Sequence, residues 1–238
     1  MEITLKMIPE KPLVVPFNYF YQLQSSIYAL LGTVSESDFW HDVGFGGAAK
    51  FKGFCFSGLK GAYKLDRDNK KLIFGSGVFV EVRSPVFEFI DAFQRAVEHL
   101  PSIKLFDTRL DIVSASLSNT HLSDGITRFT AVTPVVVHEE LPDGHTVYFS
   151  PDEAEYFIRL CGNIEKKFSA INNKTPEQIL LRPAGELKKV VTKYKETWIT
   201  GYTGDFEINA AAKTAEFIFS AGLGEKNSQG FGFLELKR

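Results

Sequence analysis

The sequence lacks the features that mark membrane, secreted or metal-binding proteins. It has no run of about 18 apolar residues, so it predicts no membrane span, and residues 1–9 read as a strand rather than a signal peptide. The two cysteines, Cys55 and Cys161, are far apart in apolar contexts, which favours reduced core thiols in a cytoplasmic protein. Because no CxxC motif or Cys/His cluster occurs, we expect neither a metal nor a cofactor.

An excess of positive charge is also absent. The 238 residues include 27 Lys plus Arg and 29 Asp plus Glu, giving a formal net charge of −2. Proteins that bind nucleic acids are often basic overall, because phosphate contacts dominate affinity. Binding of a nucleic acid would therefore need a local basic patch, and residues 188–195 (KKVVTKYK) hold four lysines and no acid.

The first half of the chain predicts an α+β domain. Residues 1–8 alternate apolar and polar as a strand does, and apolar residues from Phe20 to Leu31 recur at helical spacing before Gly32. Residues 35–38 resemble a capping box that opens a short helix through about His41. Strand-like runs at 54–59 and 71–83, a helix from 85 to about 100 and a strand at 103–117 complete a ferredoxin-like order, strand-helix-strand-strand-helix-strand.

The second half predicts a similar order. Strand-like runs lie near 127–137 and 145–150, with a hairpin turn at 141–144, and are followed by a helix over about 152–171. Two strands within 187–207, a helix over 209–221 and a strand at 231–237 follow. Since residues 118–125 are polar and turn-rich, we place a boundary there, between domains at 1–120 and 121–238. The expected fold is two tandem ferredoxin-like (RRM-like, βαββαβ) domains with a C-terminal glycine-rich loop.

The glycine-rich loop, residues 222–232 (GLGEKNSQGFG), is the most specific motif. Its glycines permit positive φ and close backbone approach, so it can cradle a phosphate or form a structural turn, and the sequence leaves both open. It is not a Walker A loop, because Phe231 follows Gly230 where Lys would be required. It is not a dinucleotide fingerprint either, because it precedes a strand.

Several segments together resemble one known family. The pattern GxGxxxxxGxG resembles the signature of the repeat-associated mysterious protein (RAMP) superfamily. VPFNYFYQLQSSIYALLG, FWHDVG, FKGFCFSGL and KKVVTKYKETWITGYTGDFEIN resemble its CRISPR-associated endoribonucleases, which process precursor RNA. These segments lie in both halves of the chain.

The resemblance implies metal-independent cleavage of CRISPR repeat RNA. In such enzymes the ribose 2′-OH attacks the adjacent phosphorus and leaves a 2′,3′-cyclic phosphate. The family pattern places His41 as general acid or base, Tyr28 as its partner in proton transfer and Lys52 at the scissile phosphate, with Lys50 as the alternative lysine. Without the resemblance, Tyr28 would be a core-edge aromatic, His41 a helix-end histidine and Lys52 a solvated loop lysine.

RNA is expected to bind in the cleft between the domains. Alternation places residues 189, 193 and 195 on one strand face and 188 on the other, although a solvated strand face would show the same pattern. The expected contacts also include the glycines and the polar residues 226–229 of the glycine-rich loop. The predicted RNA-binding set is Lys50, Lys188, Lys189, Lys193, Lys195, Gly222, Gly224, Lys226, Asn227, Ser228, Gln229, Gly230 and Gly232.

Precursor CRISPR RNA is the expected partner of a monomer or homodimer, and an effector complex is a further candidate. One alternative is a repeat-RNA binder that does not cut, and another is a structural RAMP subunit of an effector complex. A third, an unrelated ferredoxin-like metabolic enzyme, has only the net charge in its favour.

Overall fold

The computed structural model describes residues 1–35, 38–46 and 51–237. The predicted capping box at 35–38 includes residues 36 and 37, which lie outside this range, as does Lys50. No helix in the described ranges is long and apolar enough to cross a membrane.

The elements of the first half are β1 (Glu2–Pro9), β2 (Leu13–Pro16), α1 (Phe20–Leu31), β3 (Cys55–Phe56), β4 (Tyr63–Asp66), β5 (Lys71–Phe74), β6 (Val78–Arg83), α2 (Phe87–His99), β7 (Ser102–Leu105) and β8 (Thr108–Ser118). They fold around a sheet whose strands run in the order β3-β6-β1-β8-β7. Four of these strands, β3, β6, β1 and β8, have the neighbour order of a ferredoxin-like βαββαβ unit, which confirms the predicted class.

The side chains of β1 alternate between the core and the opposite face of the sheet, as the sequence predicts. Ile3, Leu5 and Met7 are buried in the core of the first half, together with Leu23 and Ile27 from α1. The predicted short helix ending near His41 is a single π-helical turn, Phe39–Val43. This turn places its side chains differently from an α-helix, and it brings Trp40 into the core.

Two runs that looked continuous in the sequence are each divided. The run at 71–83 contains β5 and β6, and the run at 103–117 contains the β7–β8 hairpin. The β5 strand leaves the main sheet to form a small sheet in the order β2-β5-β4. We did not predict β2 or β4, because both are four-residue strands stabilised by pairing with β5.

The second half repeats the arrangement. Its elements are β9 (Gly125–Val135), β10 (His138–Glu140), β11 (Thr146–Tyr148), α3 (Ala154–Asn172), β12 (Leu180–Pro183), β13 (Lys188–Tyr194), β14 (Thr197–Ala210), α4 (Ala212–Ala221) and β15 (Leu234–Leu236). The sheet runs in the order β12-β14-β9-β15, with β13 also paired to β14, and each of these pairings is antiparallel. The order β13-β14-β9-β15 is again that of a ferredoxin-like unit, with α3 and α4 as its helices.

Arg83 joins the two halves. It is 4% exposed on β6, and its guanidinium lies between the rings of Phe219 and Phe233, at 3.9 and 4.0 Å from their centroids. It also donates to the Leu234 carbonyl oxygen and pairs with Glu2. A planar cation packed between two rings and bonded at its edges fixes one domain against the other.

Candidate active site

A cavity of about 620 Å³ lies where the two halves meet. It is lined by residues from α1, from the π-helical turn, from the β13–β14 turn and from the glycine-rich loop. These are Tyr21, Gln24, Ser25, Tyr28, His41, Lys52, Tyr194, Lys195, Thr197, Ile199, Lys226, Ser228 and Gln229. The structure therefore brings Tyr28, His41 and Lys52 to one cavity from three separate segments.

Helix α1 presents a polar stripe to this cavity. Tyr21, Gln24, Ser25 and Tyr28 follow the spacing i, i+3, i+4, i+7, which places them on one helical face. The neighbouring stripe, which includes Leu23 and Ile27, is buried in the core. The helix thus anchors one face and exposes the other to the cavity.

Tyr28 and His41 are in direct contact. Their ring centroids are 4.9 Å apart in an edge-to-face arrangement. Burial raises the pKa of Tyr28 to about 12, although the Ser228 side chain, which lines the same cavity, acts in the opposite direction. Tyr28 therefore remains a neutral phenol at physiological pH, able to donate a proton but not to act as a phenolate base.

Asp42 orients the His41 ring. The His41 Nδ1 atom lies 2.6 Å from Asp42 Oδ1. Because an ionised carboxylate only accepts hydrogen bonds, Nδ1 is the donor in this pair. The Nε2 atom is then the ring nitrogen that can exchange a proton with a substrate.

Lys52 follows a backbone pairing between Phe45 and Phe51. These two residues exchange backbone hydrogen bonds of 2.8 and 2.9 Å. A Cβ at Gly44 would lie 2.6 Å from the Phe51 oxygen, so this close approach requires glycine. Lys52, the residue after Phe51, lines the cavity. Lys52, rather than Lys50, stays the predicted active-site lysine.

The glycine-rich loop is folded closely on the protein itself. Its four glycines have φ between +68° and +92°, and a Cβ at Gly232 would lie 1.8 Å from the Leu223 oxygen. The buried Asn227 amide donates to the Leu223 and Phe231 oxygens. The four glycines and Asn227 were all predicted to bind RNA. These contacts show that they stabilise the fold of the loop itself.

The other predicted loop residues face the cavity. Lys226, Ser228 and Gln229 are half-buried and line it. Gln24 Nε2 donates to the Ser228 carbonyl oxygen at 2.7 Å, and the Tyr194 hydroxyl donates to Gln24 Oε1. A hydrogen-bonded chain therefore connects the end of β13, α1 and the loop.

The four lysines of residues 188–195 do not form one surface. Lys195 lies in the β13–β14 turn with φ +53°, so the prediction that it continues the face of Lys189 and Lys193 was wrong. Its Nζ lies 4.6 Å from the Tyr21 ring centroid, and it lines the cavity. Lys193 pairs with Glu196 at 2.8 Å, and Lys188 and Lys189 are exposed further along the strand.

The charge of the cavity differs from that of the whole chain. Lys52, Lys195 and Lys226 line it, and no carboxylate stands among its lining residues in the described ranges. Within the same ranges, no group of three or more His, Cys, Asp or Glu side chains is arranged to hold a metal ion. A local positive site therefore exists in a chain whose net charge is −2.

The chain also matches a known family over much of its length. A family model described as CRISPR associated protein Cas6, C-terminal, matches residues 117–236, just over half of the chain. The chain belongs to the Cas6 family. The resemblance inferred from the sequence motifs is thereby confirmed.

Two relatives of this Cas6 chain come from Methanocaldococcus jannaschii. The chain is 23% identical to the protein named CRISPR-associated endoribonuclease Cas6 2, with 98% of each covered. It is 22% identical to CRISPR-associated endoribonuclease Cas6 1, with 98% of this chain and 92% of that protein covered. The chain thus aligns with nearly the whole of both.

Solved Cas6 structures share the fold. A structure described as a Cas6-related gene from Pyrococcus furiosus has a TM-score of 0.86 at 19% identity, over 100% of this chain and 98% of that one. A structure described as a RAMP protein binding different RNA substrates has a TM-score of 0.85 at 21% identity, with both chains fully covered. These likenesses confirm the tandem ferredoxin-like fold.

Sequence reasoning missed part of the cavity. The polar stripe on α1 was readable from its spacing, so Tyr21, Gln24 and Ser25 could have been found. Tyr194 and Ile199 could not, because their part in the cavity depends on how the domains dock. Both are buried against Phe231 of the glycine-rich loop.

Proposed function

We propose that this Cas6 family member is a metal-independent endoribonuclease that cleaves CRISPR repeat RNA in the precursor transcript. The observation that carries the proposal is the convergence of Tyr28, His41 and Lys52 in one positively charged cavity. The names of the two relatives from Methanocaldococcus jannaschii, both endoribonucleases, support the reaction class.

The proposed reaction is a transesterification followed by release of the product. The 2′-oxygen attacks the adjacent phosphorus, the bond from phosphorus to the 5′-oxygen breaks, and the products carry a 2′,3′-cyclic phosphate and a 5′-hydroxyl. One proton leaves the 2′-OH and one joins the departing 5′-oxygen, so no net proton or co-reactant is required. The protein must supply an acceptor, a donor and positive charge.

The geometry suggests how these roles are divided. Since Tyr28 stays protonated at physiological pH, it enters as a proton donor. His41 Nε2 is then the group that accepts the 2′-OH proton, with its ring held by Asp42. Lys52 stabilises the negative charge that develops on the phosphorane, and Lys195 and Lys226 hold the flanking phosphates.

The cavity also suggests how the RNA strand enters. A second cavity, of about 920 Å³, shares Lys52, Lys226, Ser228 and Gln229 with the first. The glycine-rich loop therefore borders both, and the repeat RNA passes along it between the domains.

A cleavage assay in excess EDTA tests the proposal. The purified protein, a His41→Ala variant and a matched His145→Ala variant are incubated with the repeat RNA of the source genome. The His145 side chain is 80% exposed between β10 and β11 and lines neither cavity. We expect one cut by the wild type and by His145→Ala, and a loss of about 10²- to 10⁴-fold for His41→Ala.

Other outcomes have definite meanings. A cut that persists in His41→Ala at the wild-type rate would retain the enzyme and discard the site. Tight binding without a cut would favour the non-cutting repeat-RNA binder, and cleavage only after a divalent metal is added would overturn metal independence.

A further inference from the structure

A buried lysine of α3 lies directly behind the glycine-rich loop. Lys167 is 5% exposed, and its ammonium donates to three oxygens of the loop. The distances from Nζ are 3.0 Å to the Gly222 oxygen, 2.8 Å to the Gly224 oxygen and 2.9 Å to Asn227 Oδ1. An ammonium has three N–H donors, so this arrangement uses all of them.

Burying this charge is costly. A charged amine removed from water loses its hydration, and that cost is balanced only when each N–H finds an acceptor. Desolvation lowers the pKa of Lys167 to about 8, and the fields of Cys55 and Glu225 only partly oppose it. An apolar side chain would fill the same space without this desolvation cost. The ammonium of Lys167 therefore has a role other than packing.

The oxygens that Lys167 binds lie within a loop that cannot satisfy them itself. Gly222 and Gly224 have φ of +83° and +72°, and their carbonyl groups turn toward α3. On the Asn227 side chain, Nδ2 bonds to two carbonyl oxygens across the loop while Oδ1 accepts from Lys167. One ammonium thus joins both glycines and the centre of the loop.

The next loop residue reaches the candidate active site. Ser228 follows Asn227 and lines the same cavity as Tyr28. Its carbonyl oxygen accepts from Gln24, which lies one helical turn before Tyr28 on α1. Lys167 is therefore connected through Asn227 and Ser228 to the helix that carries Tyr28. It does not line the 620 Å³ cavity. It borders the 920 Å³ cavity from behind the loop, with its three N–H groups all taken by loop oxygens.

We propose that Lys167 is a positioning residue, whose buried ammonium holds the glycine-rich loop so that Ser228 and Lys226 meet Tyr28 at the reacting phosphate. This rests on the proposed nuclease function. Because small displacements in an active site cost rate more than affinity, removal of the ammonium should slow cleavage and leave RNA binding largely intact.

The test compares Lys167→Met, Lys167→Arg and a matched Lys174→Met variant, which removes an exposed lysine just beyond α3. Single-turnover cleavage and RNA affinity are measured well below the unfolding temperature. We expect Lys167→Met to cut about 10- to 100-fold more slowly, with its Kd changed less than about threefold. Lys167→Arg should recover part of the rate, because it retains the charge and donors, and Lys174→Met should match the wild type.

Hydrogen exchange separates positioning from general stability. In Lys167→Met, amides of residues 223–232 should exchange faster while those of β1 and α1 stay protected. A folded Lys167→Met protein that cleaves at the wild-type rate would overturn the proposal. A rate loss with uniformly faster exchange would also overturn it, because that pattern indicates a merely structural lysine.

Measurements on the wild-type protein decide two further outcomes. If Lys167→Met does not fold, NMR of the Lys167 ammonium in the wild type decides, because slowly exchanging protons support the proposal and rapid exchange contradicts it. If the wild type cuts no repeat RNA, the proposed function fails, and the exchange of residues 223–232 still reports separately on whether Lys167 holds the loop.

Discussion

Tyr28 has one property that decides its part in the proposed chemistry. Its pKa is raised to about 12 by burial, so it is a phenol throughout the physiological range. A sequence pattern can place a tyrosine beside a histidine, but it cannot show that the pKa of the tyrosine is raised, because the desolvation comes from the docked loop and helix. The division of roles between Tyr28 and His41 therefore rests on the structure.

The Tyr28→Phe substitution tests this role. It removes only the hydroxyl, so the edge-to-face contact with His41 is retained and folding should be little affected. We expect the single-turnover cleavage rate to fall about 10²-fold or more, with RNA affinity changed less than about threefold. Tyr63→Phe, at a tyrosine 56% exposed on β4, is the control, and equal rates for the two variants would contradict the assignment.

Gly230 and Gly144 test the packing of the glycine-rich loop. Both have positive φ, +92° and +85°, so alanine is strained at either position by about 1 kcal/mol. A Cβ at Gly230 would lie 2.2 Å from Phe20 Cδ1, whereas one at Gly144 would meet nothing within 4 Å. Gly230→Ala should therefore lower the free energy of unfolding, measured with urea, by clearly more than Gly144→Ala. Equal losses of unfolding free energy in the two variants would mean that the glycine-rich loop can shift to accept the added methyl group.

At the scale of elements, local pattern predicted the long ones. The alternation of Ile3, Leu5 and Met7 gave β1, and the helical spacing from Phe20 to Leu31 gave α1. The small β2-β5-β4 sheet escaped prediction because β2 pairs with a strand almost 60 positions later in the chain. Lys167 was not singled out from the sequence, because the spacing on α3 does not show what packs against it.

The link between α3 and the glycine-rich loop has a pH signature. The pKa of Lys167 is about 8 in the folded protein against 10.5 for an ordinary lysine. Between these values the unfolded chain binds more protons at this side chain than the folded protein does. The contribution of Lys167 to the free energy of unfolding must therefore rise with pH across that window.

Comparison with Lys167→Met isolates this effect from other titrating groups. The difference in unfolding free energy, wild type minus variant, should increase between about pH 7.5 and 10 by about 1–3 kcal/mol. Urea titrations at several pH values measure it. A difference that is constant or falls with pH would show that Lys167 is not held in a desolvated environment.

At the scale of the whole molecule, the cavity exists only because the domains dock. Sequence reasoning gave the tandem domains and placed RNA between them, but not the packing of Arg83 between Phe219 and Phe233. Nothing local in the sequence around Arg83 distinguishes it from a surface arginine. The boundary between residues 120 and 121 stays a proposal, and it falls in the segment between β8 and β9.

The Arg83→Met substitution tests the joint between domains. It leaves Glu2 and the Leu234 oxygen without their partner, and breaking a buried ion pair in this way costs about 3–5 kcal/mol. We expect a large drop in the urea midpoint, a broader or two-step transition and a loss of cleavage. Arg95→Met, which removes an exposed i,i+4 pair with Asp91, should cost about 0.5 kcal/mol or less. Equal effects of the two substitutions would contradict the role of Arg83 in joining the domains.

The central claim, that the ribose of the substrate supplies the nucleophile within this cavity, has a direct test. Repeat RNA carrying a single 2′-deoxy nucleotide at the cut position is compared with the unmodified RNA, in excess EDTA. We predict that the modified RNA binds with nearly unchanged affinity but is not cut there, and that the unmodified RNA yields a 2′,3′-cyclic phosphate. Cleavage of the 2′-deoxy substrate at the same position would contradict the account.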